Sequence, residues 1–131
     1  MPSENQVGPT TVHFKFEELK VYQKALDLFD SSCRITRTMV KREDAYLKDQ
    51  FRRAALSICL NLAEGCGGTK AESVRYWTIA SRSLRECVAI AEVLSRQGFI
   101  TGDDRLAMRR QCEEISRMIH ALIKSLKMLP K

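Results

Sequence analysis

The sequence predicts an all-α protein, an antiparallel up-down-up-down four-helix bundle, and three observations carry that prediction. Apolar residues recur at steps of three and four through four separate segments, the spacing that gathers side chains on one face of a helix. Two of the junctions, TKAE at 69–72 and TGDD at 101–104, set a threonine three residues before a carboxylate, as a helix N-terminus requires. No segment alternates polar and apolar residues in the strand period, and no internal repeat is present.

Residues 1–15 are polar without a period and read as a flexible tail, leaving 16–131 as the bundle domain. In the first segment Leu19, Tyr22, Leu26, Phe29, Cys33 and Thr36 form a stripe that Val21, Ala25, Leu28, Ile35 and Met39 widen. That pattern predicts a helix over 17–40, which the charged run KREDA interrupts. Leu47, Phe51, Ala54, Ile58 and Leu62 begin a second stripe, and GCGG at 65–68 ends it with glycines able to take the left-handed cap conformation. A third helix follows Thr69, with Val74, Trp77, Ser81, Leu84, Val88, Ala91 and Leu94 on its inner face and Gly98 at its end. A fourth follows Thr101, and Met108, Cys112, Ile115, Ile119, Leu122, Leu126 and Leu129 make it the most regular of the four. The short connections make neighbouring helices antiparallel.

Composition limits the class of protein. A chain of 131 residues is the size of one domain, and with 44% hydrophobic residues, 29% charged residues and 3 prolines it is globular rather than disordered. No stretch reaches the ~20 consecutive apolar residues of a membrane span, and MPSENQVGPTTV has neither a basic start nor an apolar core, so a cytoplasmic location is expected. Cys33, Cys59, Cys66, Cys87 and Cys112 are odd in number, never paired as CxxC and set in apolar patterns. They read as small buried hydrophobes in a reducing compartment. The net charge of +6 favours polyanionic partners without demonstrating one.

The second helix carries the most information. Within AALSICLNLA at 54–63 only Ser57 and Asn61 are polar, so the helix is apolar nearly all round. A lone bundle buries each helix on one side, and a second apolar side is expected to meet another subunit. The bland alternative is that small residues simply tolerate exposure. A charge at Ala55 or Leu60 is expected to dissociate the assembly, without the sequence distinguishing which lies in the interface. Arg52 and Arg53 precede this run, and Asp49 to Arg53 has the spacing of a helical ion pair. Asn61, Glu64 and Glu86 lie close to apolar stripes and read as hydrogen-bonding or interface residues rather than catalytic ones.

The string QFRRAALSICLNLAEG from Gln50 to Gly65 resembles the four helix bundle proteins encoded within 23S ribosomal RNA intervening sequences, whose second helix carries Q-x-R-R-A-A-x-S-I-x-x-N-[IL]-A-E-G. FEELKVYQKA at 16–25 is similar to the opening F-E-x-L-x-V-W-x-x-A of that family, with Tyr22 in place of tryptophan. Tyr76 to Glu86, with Ala80, Ser83, Leu84 and Glu86, fits as well, and the likeness spans about 16–129. The resemblance implies a left-handed bundle, assembly into a homo-oligomeric ring with a pentamer favoured, and no established enzymatic activity. It also leaves open a nucleic-acid enzyme as a partner, by way of a related branch that serves retroelements.

No catalytic, cofactor or metal site is expected. A di-metal bundle needs inward glutamates and Glu-x-x-His pairs, whereas His13 lies in the tail and His120 stands alone on a polar face. GCGGTK lacks the spacing, the GK[ST] ending and the preceding strand of a phosphate loop. Arg75, Arg82 and Arg96 recur at multiples of seven on the third helix, as do Arg110, Arg117 and Lys124 on the fourth, giving two basic stripes interrupted by Glu92 and Glu114. A solvated face with ordinary ion pairs accounts for both. The sharper reading is weak RNA or DNA binding through these residues, with Arg52 and Arg53 as further candidates. Two functions of different class stand at this point: an oligomeric scaffold that binds nucleic acid or a nucleic-acid enzyme, and an oligomeric protein-interaction module that does not.

Overall fold

The computed structural model describes residues 14–130; of the expected tail at 1–15, residues 1–13 lie outside the described residues, and Lys15 already belongs to a 3₁₀ turn. Four helices account for nearly all of the fold: α1 (Lys20–Ile35), α2 (Ala45–Glu64), α3 (Lys70–Arg96) and α4 (Gly102–Lys127). Single turns of 3₁₀ helix at Lys15–Glu18 and Arg42–Asp44 lead into α1 and α2, and there is no strand among the described residues.

Each helix packs on its sequence neighbours, α1 also packs on α4, and the backbones of the diagonal pairs stay apart. The contacts run in opposite senses along each pair: Ser73 reaches Gly65, Trp77 reaches Leu62 and Ser83 reaches Ser57 between α2 and α3. Between α3 and α4, Glu92 pairs with Arg105 while Lys70 meets the carbonyl of Leu129. Neighbouring helices are therefore antiparallel. The core is one cluster, with Leu28 from α1, Phe51, Ile58 and Leu62 from α2, Cys87 and Leu94 from α3 and Ile115 and Ile119 from α4 at its centre.

The capping chemistry is as the local sequence dictates. Thr69 Oγ1 accepts from the Glu72 amide at 3.2 Å while Glu72 Oε1 accepts from the Thr69 amide at 2.8 Å, the reciprocal box. These bonds to the Thr69 amide and hydroxyl hold the Glu72 carboxyl below its ordinary range. Thr101 Oγ1 accepts from the Asp104 amide at 3.0 Å. Gly98 leaves α3 at φ +79°, a conformation that side chains with a Cβ rarely adopt.

Two boundaries differ from expectation. The helix expected over 17–40 is shorter, because the chain leaves it after Ile35 although Met39 keeps the apolar spacing and is buried. The cause lies sixteen residues further on, where Arg52 Nε donates to Thr36 Oγ1 at 3.0 Å and Nη2 to the Cys33 carbonyl at 3.2 Å. A guanidinium at a helix C-terminus satisfies its orphan carbonyls and opposes the helix dipole. Lys48 then takes the Met39 carbonyl at 3.0 Å, fixing the connection to α2.

The second correction concerns Gly65. Its φ is −70°, so it is not a left-handed cap. A Cβ there would instead overlap Nε1, Cδ1 and Cε2 of Trp77, whose indole N–H donates to the Leu62 carbonyl at 3.3 Å. Glycine is required by the close approach of a buried ring.

Candidate interaction surface

The signature residues of α2 divide between interior and surface. Ala55 is fully buried among the core residues, so a charge there would strike the interior of the bundle. Arg52 is occupied in holding the end of α1. Asn61 Nδ2 donates to the Ser57 carbonyl at 2.8 Å and lies 3.1 Å from Ser57 Oγ, which in turn sits 2.9 Å from Ser83 Oγ on α3. Gln50, Arg53, Glu64 and Glu86 are exposed and need no buried partner. The ion pair expected between Asp49 and Arg53 does not form; among the described residues, pairs join Lys24 to Glu114 at 3.3 Å and Arg105 to Glu92 at 3.7 Å.

What faces outward from α2 is the informative part. Leu56 and Leu60 are one turn apart and remain 41% and 55% exposed, between Arg53 on one side and Glu64 on the other. The Ser57–Ser83 contact sets this stripe beside that of α3, where Ile79, Arg82, Glu86, Ile90 and Val93 follow the same three-and-four spacing. Val93 is 45% exposed. The outer α2–α3 face thus carries exposed apolar residues with charges of both signs along it.

All six members of the basic stripes are exposed. Arg82 belongs to the face just described, and the Arg75 guanidinium lies 5.4 Å from the centre of the Tyr76 ring, a cation–π position. Arg110, Arg117 and Lys124 lie along the outer side of α4, away from α2.

The thiols are free, and three are sealed in the core. Burial pushes Cys59 up to about 11 and Cys112 up to about 12, and it drives Cys87 in the same direction with neighbouring Cys112, Glu86 and Cys59 adding to the effect. Cys66 is half-buried and raised by burial, with Lys15 opposing. Among the described residues no group of three or more His, Cys, Asp or Glu side chains could hold a metal ion, and no helix is long and apolar enough to cross a membrane. His120 is exposed, with Nδ1 3.5 Å from Ser116 Oγ.

Sequence reasoning missed three partners: Thr36 for Arg52, Ser83 for Ser57 and Trp77 for Gly65. Only Trp77 left a signal, as the sole tryptophan placed on the inner stripe directly after a glycine-rich turn.

Fold and surface together define a small four-helix-bundle protein. A match to the 23S rRNA-intervening sequence protein family spans residues 17–121. The chain belongs to that family. Among solved structures it is similar to a protein of unknown function from the S23 ribosomal protein family of Bacteroides thetaiotaomicron, at 22% identity and a TM-score of 0.72, covering 79% of this chain and 95% of that one. That likeness shows the fold. No curated protein matches the sequence.

Proposed function

We propose that the chain is a non-enzymatic, self-associating scaffold of the 23S rRNA-intervening sequence protein family, assembled through the α2–α3 face and able to hold nucleic acid weakly through its basic helix faces. The observation that carries the first part is the exposure of Leu56 and Leu60 one turn apart on the outer side of α2, with Val93 exposed further along α3. Arg53 and Arg82 lie on the same face as Glu64 and Glu86, so two copies can meet with opposite charges opposed. A ring, with a pentamer favoured by the family resemblance, would use that face on every subunit.

Assembly through α2–α3 would cover Arg82, and it leaves Arg110, Arg117 and Lys124 clear on α4. Repetition of that stripe around a ring sums its charge, which attracts a phosphate backbone without regard to sequence. One observation favours the second reading, a protein-interaction module that leaves nucleic acid alone: Glu92 already engages Arg105, and Glu114 engages Lys24 beside the stripe.

Light scattering after gel filtration is expected to give a multiple of 15.0 kDa for the wild type and a lower mass for Leu60→Glu, with helicity retained. A charge enclosed in an apolar interface costs several kcal/mol unless paired. A monomeric wild type overturns the scaffold. Retention of RNA or DNA that fades with salt, and that weakens when Arg75, Arg82, Arg110 and Arg117 are changed together to glutamine, supports the nucleic-acid part; equal retention by both proteins leaves the interaction module.

A further inference from the structure

The helices are of unequal length, and the difference leaves one end of the bundle open. α1 has 16 residues against 27 in α3 and 26 in α4. Lys24 pairs with Glu114, so the start of α1 at Lys20 falls short of the last turns of α4. The chain before α1 does not extend it: the 3₁₀ turn at Lys15–Glu18 packs on α2, with Phe14 and Phe16 beside Ala63 and Cys66. The apolar stripe of α4 nevertheless continues through Leu122, Leu126 and Leu129, and Leu129 is 56% exposed.

The result is a groove of about 900 Å³ between the first turns of α3 and the last turns of α4, open to solvent. Ala71, Val74, Leu126 and Leu129 provide apolar walls, and Lys70 and Lys127 the charges. A second groove of about 400 Å³ lies on the α1 side of α4, with Leu19, Val21, Met118 and Leu122 around Lys20. No carboxylate lines either groove, in a chain where acidic residues elsewhere interrupt every basic stripe.

We propose that this end groove is a docking site for an acidic amphipathic helix supplied by another protein. An apolar floor with a purely cationic rim fits a helix that presents leucines at i, i+3, i+4 and i+7 with Asp or Glu on its flanks. A second copy of this chain fits poorly, because two lysine rims would oppose each other. Residues 1–13 fit poorly too, since they hold one carboxylate, Glu4, and no helical apolar stripe. Single-stranded nucleic acid would want aromatic platforms, and neither groove has a ring in it. A small apolar anion would want enclosure, and the groove is open along its length.

The test pans a phage-displayed library of helix-forming peptides on the full chain and titrates labelled copies of the enriched peptides. Enriched peptides are expected to share the apolar i, i+3, i+4, i+7 pattern with acidic flanks and to lose at least tenfold in affinity for Leu126→Glu. Because Leu126 is half-buried, Lys70→Glu combined with Lys127→Glu serves as the second variant; both lysines line the groove at helix ends, and the same tenfold loss is expected with the fold intact. Leu60→Glu, which probes self-association, is expected to leave peptide binding unchanged, so the two readings fail separately. The proposal is overturned by enrichment of basic or non-amphipathic peptides, by binding that ignores both groove variants, or by competition from a synthetic peptide of residues 1–13. A fall in assembly mass for Leu126→Glu overturns it in favour of a second copy, and tenfold tighter retention of a fatty acid than of any peptide overturns it in favour of a small ligand.

Discussion

Replacing Gly65 by alanine sets two physical effects against each other, and the structure decides between them. Gly65 sits at φ −70°, which alanine adopts without strain, so backbone entropy and helix propensity alone favour Gly65→Ala by about 0.5–1 kcal/mol. The added methyl, however, would enter the ring of Trp77, which is 7% exposed and cannot swing into solvent. Overpacking of a filled interior costs about 1–3 kcal/mol. Displacing the indole also breaks its bond to the Leu62 carbonyl, worth about 0.5–1.5 kcal/mol. The net expectation is destabilisation of about 1–3 kcal/mol. Urea unfolding followed by far-ultraviolet circular dichroism, at one fixed protein concentration because self-association shifts the midpoint, measures it. Trp77→Phe in the same chain removes the atom nearest the new methyl, so the double variant is expected to lose less than the sum of the two single changes. A Gly65→Ala protein more stable than wild type would refute the steric account.

Three further expectations follow from the same contacts. Arg52→Ala is expected to cost about 2 kcal/mol through the lost bonds to Thr36 and the Cys33 carbonyl, and Arg52→Lys to recover less than half, because an ammonium cannot span both acceptors; equal urea midpoints for all three proteins would remove the helix-end role. With an aromatic disulfide reagent at pH 8, Cys33 and Cys66 are expected to react in the folded protein, and Cys59, Cys87 and Cys112 only after denaturation; comparable rates for all would contradict their burial. The Glu72 carboxyl is held low by Thr69, so its stabilising effect is present above the ordinary carboxylate range and is lost as pH falls through the depressed folded value. The gap in melting temperature between wild type and Glu72→Gln is therefore expected at neutral pH and to close in acid, and a gap independent of pH would count against the capping box.

What was legible in the sequence was what is local. Thr69 and Glu72, or Thr101 and Asp104, lie within one turn, and their chemistry follows from that spacing alone. The exposed stripes of α3 and α4 are equally local, since seven residues is close to two turns. The end of α1 was not legible. Ile35 and Met39 keep the helical spacing, and what stops the helix is a guanidinium carried by another element. The apolar excess of α2 was visible, but not its division: Ala55 and Leu60 look alike in sequence, and only the packed bundle puts one inside and the other on the surface. The end groove was hidden for a related reason, because the stripe through Leu126 and Leu129 reads as core until the shortness of α1 is known.

The hydroxyls of Ser57 and Ser83 and the amide of Asn61 have a consequence for how α2 and α3 slide against each other. Rows of alanine, leucine and isoleucine offer nearly equivalent seats one turn apart, about 5.4 Å along the axis, and so define the lengthwise register only loosely. The Ser57–Ser83 contact forms in one seat only. A shift of one turn would part the two hydroxyls and break that contact, at a cost comparable to one lost hydrogen bond. Together with the Trp77–Leu62 and Ser73–Gly65 bonds near the turn, these small polar groups turn a surface that could creep into one with a single resting position. Every residue spaced along the outer edge of those two helices, Leu60 and Val93 included, is held in step by them.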